Sequence, residues 1–254
     1  MITPIRIRNV EIGAGMPKII APIVGKTQED ILAAASALKD TPAQMAEWRV
    51  DFFEAAPDVE KTLAALKNLR SVLGDIPLLF TFRTEQEGGQ KALPYAQYAA
   101  LNLAAAASGY ADMVDVEVFT DETAAGALIA GCRQKGVVTV GSSHDFAATP
   151  SKDVIIGRLC RMQELGADIL KIALMPQSTA DVLTLLSATA EMHALYAQRP
   201  IVTMAMGPLG VISRIAGETF GSAMTFGALD RASAPGQIPV GQLKEILEAL
   251  HSAL

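Results

Sequence analysis

The sequence is short of the residues that build disulfide frameworks and metal centres. It has 2 cysteines and 3 histidines in 254 residues. Cys132 and Cys160 are too few for a disulfide-stapled fold and lack the Cys-x2-Cys spacing of a zinc site. A three-histidine zinc centre would need His144, His193 and His251 together, and their positions do not converge. No metal is therefore expected. Charge is also sparse, at 19% of residues, with 21 basic against 27 acidic side chains and a net charge of −6. That balance gives no chain-wide attraction for nucleic acid or an anionic membrane. Long apolar runs are missing too. The longest uncharged stretch, 92–111, is mostly alanine and includes Pro94, Gln97, Asn102 and Ser108, so no membrane span is expected. Met1 to Arg8 is too polar for a signal peptide, and the low cysteine content suits a reducing cytoplasm.

What is abundant is apolar material: 50% of residues are hydrophobic and mean hydropathy is +0.30, enough for a large core. Short β-branched runs recur at 18–24, 46–50, 77–82, 112–118, 136–141, 168–173, 200–205 and 222–227. Their starts lie 22 to 35 residues apart, the length of a strand plus a returning helix. Eight such units predict an α/β fold of the (βα)8 barrel class, with residues 1–254 forming one domain. Helix signals fill the gaps. Thr27-Gln-Glu-Asp30 resembles a capping box, followed by Ile31, Ala34, Ala35 and Leu38 on one face. Thr149-Pro150 reads as an N-cap with proline in the first turn, Ser178 starts a helix to about Gln198, and Pro239 opens the last helix. The segment before Lys18, with Ile5/Ile7 alternation and Gly13/Gly15, reads as a hairpin closing the barrel bottom. An open doubly wound sheet is disfavoured because no Gly-x-Gly-x-x-Gly follows the first strand.

The informative residues are charges inside apolar strands. Strand side chains alternate, so Glu47, Arg49 and Asp51 share a face, as do Asp115 and Glu117. Lys171 is alone in Asp168-Ile-Leu-Lys-Ile-Ala173. Val138, Val140, Ser142 and His144 share one parity, placing His144 just beyond the strand's C-terminal end, and Arg83 ends the third strand in the same way. Barrel active sites lie at the C-terminal ends of strands, so these residues predict a site. The competing structural reading is an interior ion network of Glu47, Arg49, Asp115 and Glu117 with Lys171. For Arg214 it is an i,i+4 pair with Glu218 on a helix surface. His193 and His251 read as helix surface or packing residues. Lys171, between Leu170 and Ile172 and facing other cations, loses solvation, which favours the neutral amine that attacks a carbonyl. With His144 as proton carrier, that suits carbanion chemistry next to a carbonyl, with an imine as electron sink and no cofactor.

Seven stretches in order carry a family resemblance: 47–51 (Glu-Trp-Arg-Val-Asp), 77–83 (Pro-Leu-Leu-Phe-Thr-Phe-Arg), 87–89 (Glu-Gly-Gly), 143–146 (Ser-His-Asp-Phe), 171–177 (Lys-Ile-Ala-Leu-Met-Pro-Gln), 213–214 (Ser-Arg) and 232–237 (Ala-Ser-Ala-Pro-Gly-Gln). With these the chain resembles the type I 3-dehydroquinate dehydratases along essentially its whole length. The resemblance implies Lys171 as the Schiff-base lysine, His144 as general acid and base, and Glu87 as the carboxylate that orients the histidine. It implies Arg214 at the substrate carboxylate, Glu47, Arg49, Arg83, Ser233 and Gln237 around the substrate hydroxyls, and Met204 and Met206 against the ring. The implied substrate is 3-dehydroquinate, with no cofactor, in a cytoplasmic homodimer. Pro22 departs from the family, where many relatives have serine.

Two rival functions are a class I aldolase, which would need a phosphate site that the loops after strands seven and eight lack, and a catalytically silent barrel serving as a binding scaffold.

Overall fold

The computed structural model describes residues 2–229 and 236–254. Ser233, one of the expected substrate contacts, lies outside the described residues. The chain begins with an antiparallel hairpin, β1 (Ile5–Ile7) and β2 (Val10–Ile12). It continues through β3 (Lys18–Ile23), α1 (Gln28–Lys39), β4 (Met45–Arg49), α2 (Val59–Leu73), β5 (Leu78–Thr81), α3 (Tyr95–Ala107), β6 (Met113–Glu117) and α4 (Glu122–Gln134). Next come β7 (Val138–Asp145), α5 (Lys152–Glu164), β8 (Ile169–Leu174), α6 (Thr179–Glu191), β9 (Ile201–Ala205), two short helices α7 (Val211–Ile215) and α8 (Gly217–Phe220), β10 (Met224–Ala228), β11 (Ile238–Pro239) and α9 (Val240–His251).

Strands β3 to β9 pair in parallel in chain order, and β10 pairs with β3. The ring shuts between β9 and β10 through one parallel bridge, Ile201 to Ser222. There the Ala223 N–H donates to the Ile201 carbonyl at 2.7 Å, and the Ser222 hydroxyl accepts from the Thr203 N–H at 3.0 Å, so a side chain substitutes for a missing ladder bond. All eight predicted strand segments are present, and the (βα)8 expectation holds.

Alternation along each strand separates two cores. One set, including Ile19, Trp48, Phe80, Val116, Leu170 and Ile201, packs outward against the helices. The other, Ile20, Met45, Leu79, Met113, Val140, Ile169, Val202 and Met224, fills the lower barrel and is capped by Ile7, Val10 and Ile12 of the hairpin. The hairpin therefore closes the bottom because it supplies the apolar lid that this layer needs, and the open end is left at the strand C-termini.

Three local expectations need adjustment. Thr27 forms the full capping box with Asp30, as read. The fifth helix, however, starts at Lys152 with Ser151 as N-cap, not at Thr149-Pro150. The N-cap position falls to Ser151, which is extended (φ −59°, ψ 157°), and the Thr149 hydroxyl donates to the Met175 carbonyl at 3.2 Å. The helix from Ser178 ends at Glu191 and passes into a wider π-turn, Met192–Tyr196. Strand β7 runs on through Asp145, so His144 is held in the ladder opposite Ala173 rather than in a loop.

Ile12 is fully buried in the lower layer. Ile12→Ala is expected to cost about 2–5 kcal/mol in urea unfolding while leaving turnover unchanged below the unfolding transition. A loss under about 0.5 kcal/mol would mean that the hairpin is not part of the cooperative core.

Candidate active site

One more inward step along five of the strands replaces the apolar layer with polar groups, Glu47, Thr81, Asp115, Ser142 and Lys171, beside the ring of Phe226. The step after that brings Arg49, Arg83, Glu117, His144 and Ala173. Nearly all are buried, so every charge requires a partner.

Arg83 organises the carboxylates. Its Nη1 donates to Glu117 Oε1 at 2.9 Å and Ser142 Oγ at 3.1 Å and lies 3.4 Å from Glu87 Oε2. Its Nη2 forms an ion pair with Asp115 Oδ1 at 2.8 Å. Burial opposes the guanidinium charge, but Asp115, Glu117 and Glu87 outweigh it and raise the Arg83 pKa well above the ordinary arginine value. Glu117 is completed by the Thr84 N–H (2.8 Å) and Thr84 hydroxyl (2.6 Å). Tyr98, from α3, spans the gap beside β6: its hydroxyl donates to the Asp115 carbonyl and accepts from the Glu117 N–H.

Lys171 stands differently. Its Nζ lies 3.6 Å from Asp115 Oδ2 and 3.7 Å from Glu47 Oε1, beyond hydrogen-bond length, and 4.5 Å from the centre of the Phe226 ring. Asp115 Oδ2 has no hydrogen-bond partner, while Asp115 Oδ1 accepts from Ser142 and Glu47 Oε1 accepts from Thr81. The expectation that Lys171 faces cations is thus corrected: its nearest charged neighbours are two carboxylates, and the uncharged Phe226 face lies beside them, an environment fitted to hold a cation.

Glu87 sits in the turn after β5, where Gly88 and Gly89 are both required. Gly88 is left-handed (φ 83°), and a Cβ on it would strike the Phe146 ring; a Cβ on Gly89 would strike the Arg83 carbonyl. The turn delivers Glu87 Oε2 to His144, 3.0 Å from its backbone N–H and 2.8 Å from its Nδ1. Because this oxygen already accepts from the His144 backbone N–H, Nδ1 is assigned as the donor, which leaves Nε2 as the basic nitrogen. Burial, with Arg83, Lys171 and Arg49, pulls the His144 pKa well below the usual histidine value. Burial pushes Glu87 up to about 8, partly opposed by Arg83. At neutral pH His144 is therefore an uncharged base.

Lys171 and His144 line one cavity of roughly 220 Å³ with Glu47, Arg49, Arg83, Glu87, Met204, Met206, Arg214 and Gln237. Every expected site residue among the described ones lines it. Arg49 arrives committed, with Nε and Nη2 in a two-pronged pair with Asp51, both bonds 2.8 Å. Arg214 is buried, which pulls its pKa down to about 10, still charged at neutral pH. The surface-pair alternative for Arg214 fails: it and Glu218 lie in separate short helices, and Glu218 contacts His251 at 2.8 Å. An interior ion network exists, but Arg83 takes the place read for Arg49, which pairs with Asp51, and the network forms the wall of the cavity. Thr81, Ser142 and Phe226 were findable by continuing the inward parity; Thr84 and Tyr98 carry no sequence signal. Among the described residues no helix is long and apolar enough to cross a membrane.

The sequence model of the family described as type I 3-dehydroquinase matches residues 19–253. The chain belongs to this family. It is 49% identical over 250 residues to the 3-dehydroquinate dehydratase of Bacillus licheniformis, covering 98% of each chain, and 50% identical over 249 residues to that of Salmonella paratyphi B, covering 98% of this chain and 99% of the other. The solved type I 3-dehydroquinate dehydratase of Clostridium difficile, described with covalently modified comenic acid, superposes with a TM-score of 0.97 at 48% identity over 100% of both chains.

The raised Glu87 pKa has a sign. Its folded value lies above its unfolded one, so its stabilising contribution is present at low pH and is lost as pH rises from about 4.5 through about 8. Glu87→Gln should therefore gain stability relative to wild type between pH 5 and 8 in thermal unfolding. It should also lose the step near pH 8 in the kcat profile, with kcat reduced about tenfold to hundredfold, less than deletion of a general base itself can cost. An unchanged pH–stability slope would contradict the buried, proton-sharing carboxyl.

Proposed function

We propose that this enzyme, a hydro-lyase of the type I family, eliminates water from 3-dehydroquinate to give 3-dehydroshikimate through an imine on Lys171. The observation that carries this reading is a buried lysine amine sharing one cavity with a histidine whose Nδ1 is fixed by Glu87 and whose Nε2 is free to take a proton. The names of the relatives, and the covalent ligand described for the Clostridium difficile protein, support it.

The amine attacks the C3 carbonyl carbon; its two protons leave with the carbonyl oxygen as water, and one proton taken up from solvent, returned at the final hydrolysis, completes the iminium. The iminium carries a fixed positive charge at the place where Glu47, Asp115 and the Phe226 face surround Nζ, so the walls that hold the ammonium also hold the intermediate. His144 Nε2 removes the C2 proton, and the electron pair moves through C2–C3 onto nitrogen. The enamine returns that pair to expel the C1 hydroxyl, which takes the proton from the His144 imidazolium and departs as water. Water then cleaves the conjugated iminium and frees Lys171. Arg214 offers a planar fork to the substrate carboxylate. Glu47, Arg49 and Gln237 surround the ring hydroxyls, and Met204 and Met206 its apolar edge; a role for Ser233 rests on the resemblance alone. Arg83, with both terminal nitrogens on protein groups, serves by fixing the carboxylates. No step calls for a cofactor or metal. We also propose that the chain acts as a single barrel domain within a cytoplasmic homodimer, as the resemblance implies; both cysteines are free thiols, which suits a reducing compartment.

Turnover is followed by the ultraviolet absorbance of the conjugated product. Lys171→Ala is expected to retain less than about 1% of activity and His144→Ala to lose about 10²–10⁴-fold or more. Arg214→Lys should chiefly raise KM, because the charge is kept and the fork lost. Substantial turnover by the Lys171 variant would refute the imine.

A further inference from the structure

The residues that touch substrate do not explain why the turn carrying Glu87 is held where it is. That turn follows β5 and runs from Arg83 to Lys91, and both of its ends are fastened to the segment that follows β4. On one side is Asp51, fully buried and outside the cavity lining. Besides the two bonds from Arg49, its carboxylate accepts the Gln90 N–H at 3.1 Å and, more weakly, the Arg83 N–H at 3.4 Å. On the other side is Lys91, half-buried, whose Nζ donates to the carbonyls of Phe53 and, at 2.8 Å, Ala56. Within the turn, the Glu85 N–H donates to the Lys91 carbonyl at 3.0 Å and the Gly89 N–H to the Thr84 carbonyl at 2.8 Å, so the anchors and Glu87 belong to one compact loop.

We propose that Asp51 and Lys91 are positioning residues for the proton-transfer half of the reaction: they clamp the Glu87 turn onto the β4–α2 segment and so set the Glu87–His144 contact. This rests on the function proposed above. The clamp matters because Glu87 reaches His144 through two bonds to a single oxygen, and small displacements of such a contact change proton-transfer geometry directly. Asp51 has a second task, since it also sets the direction of Arg49 at the cavity edge. Lys91 has only the first. The two residues therefore separate: Asp51 variants should affect both proton transfer and substrate affinity, Lys91 variants proton transfer alone. Imine formation, which depends on Lys171, should be spared by both.

The charges facing the pair are all identified. Arg83, Glu117 and Asp115 act on Glu87, and Arg83, Lys171 and Arg49 act on His144. Arg49 and Arg83 both touch the clamp through Asp51, and Lys91 itself acts electrostatically on Asp51. A Lys91 variant keeps every charge that acts directly on Glu87 and His144 while it loosens the seat of the turn.

The test compares wild type, Asp51→Asn, Lys91→Met and Lys91→Arg for kcat, KM, the pH profile of kcat, and mass gain on borohydride reduction with 3-dehydroquinate. Lys91→Met is expected to lower kcat about tenfold to hundredfold with KM within about twofold, and to move the step near pH 8 towards lower pH as Glu87 gains water. Lys91→Arg, which keeps a cation with N–H donors, should recover most of the loss. Asp51→Asn should lower kcat similarly and raise KM as well. The lysine adduct should still form in all three. If kcat and the profile of Lys91→Met match wild type, or if the adduct is lost in Lys91→Met while wild type forms it, the positioning role is overturned. Should Asp51→Asn fail to fold, the Lys91 pair decides alone. Failure of wild type to form the adduct would count against the imine, whereas kcat and the pH profile would still decide on the clamp.

Discussion

The structure depends on keeping several charges together where a barrel would ordinarily hold only apolar side chains. Lys171 and Arg83 are almost wholly buried, and so are Glu47, Asp115, Glu117 and Glu87. An isolated buried charge is costly enough that each of these residues exists only because the others do. Arg83 is the tie, contacting Asp115 and Glu117 of β6 and Glu87 of the turn after β5. With those acids fixed, Asp115 Oδ2 and Glu47 are left near Lys171 without being hydrogen-bonded to it. The lysine is held electrostatically but not tethered, which leaves its nitrogen able to form a bond to carbon.

This arrangement explains the division of the barrel into two ends. The lower interior is closed by the hairpin and packed with aliphatic and methionine side chains, and that end carries the packing stability. The upper interior is polar and is set by hydrogen bonds from the turns, above all Thr84 to Glu117 and Glu87 to His144. Replacing the upper ion network with apolar residues would not necessarily weaken the fold, since buried ion networks are seldom the most stable solution. Its retention is explained by the chemistry that the cavity performs.

Much of this was legible in the sequence because two periodicities coincide. Alternation in the strands exposed Glu47, Arg49, Asp115, Glu117 and Lys171 as inward charges, and the spacing of the strands placed them at one end of a barrel. The same rule continued one step further reaches Thr81, Ser142 and Phe226. It could not reveal that Lys171 is bordered by carboxylates, because which inward residues become neighbours depends on the stagger of the ring. Nor could it find Tyr98, a helix residue whose hydroxyl enters the β6 backbone, or Lys91, whose partners are carbonyls and leave no trace in side-chain pattern. The start of α5 was misplaced by two residues because Thr149 and Ser151 offer the same capping signal, and the bond from Thr149 to the Met175 carbonyl is a tertiary contact that local sequence does not show.

The account stands or falls on the nitrogen of Lys171. The most direct measurement is borohydride reduction of the protein with 3-dehydroquinate, followed by proteolysis and mass mapping of the modified peptide. The account predicts a single irreversible adduct on the peptide that contains Lys171, dependent on substrate and absent from Lys171→Ala. An adduct on another lysine, or none while the enzyme turns over, would contradict it.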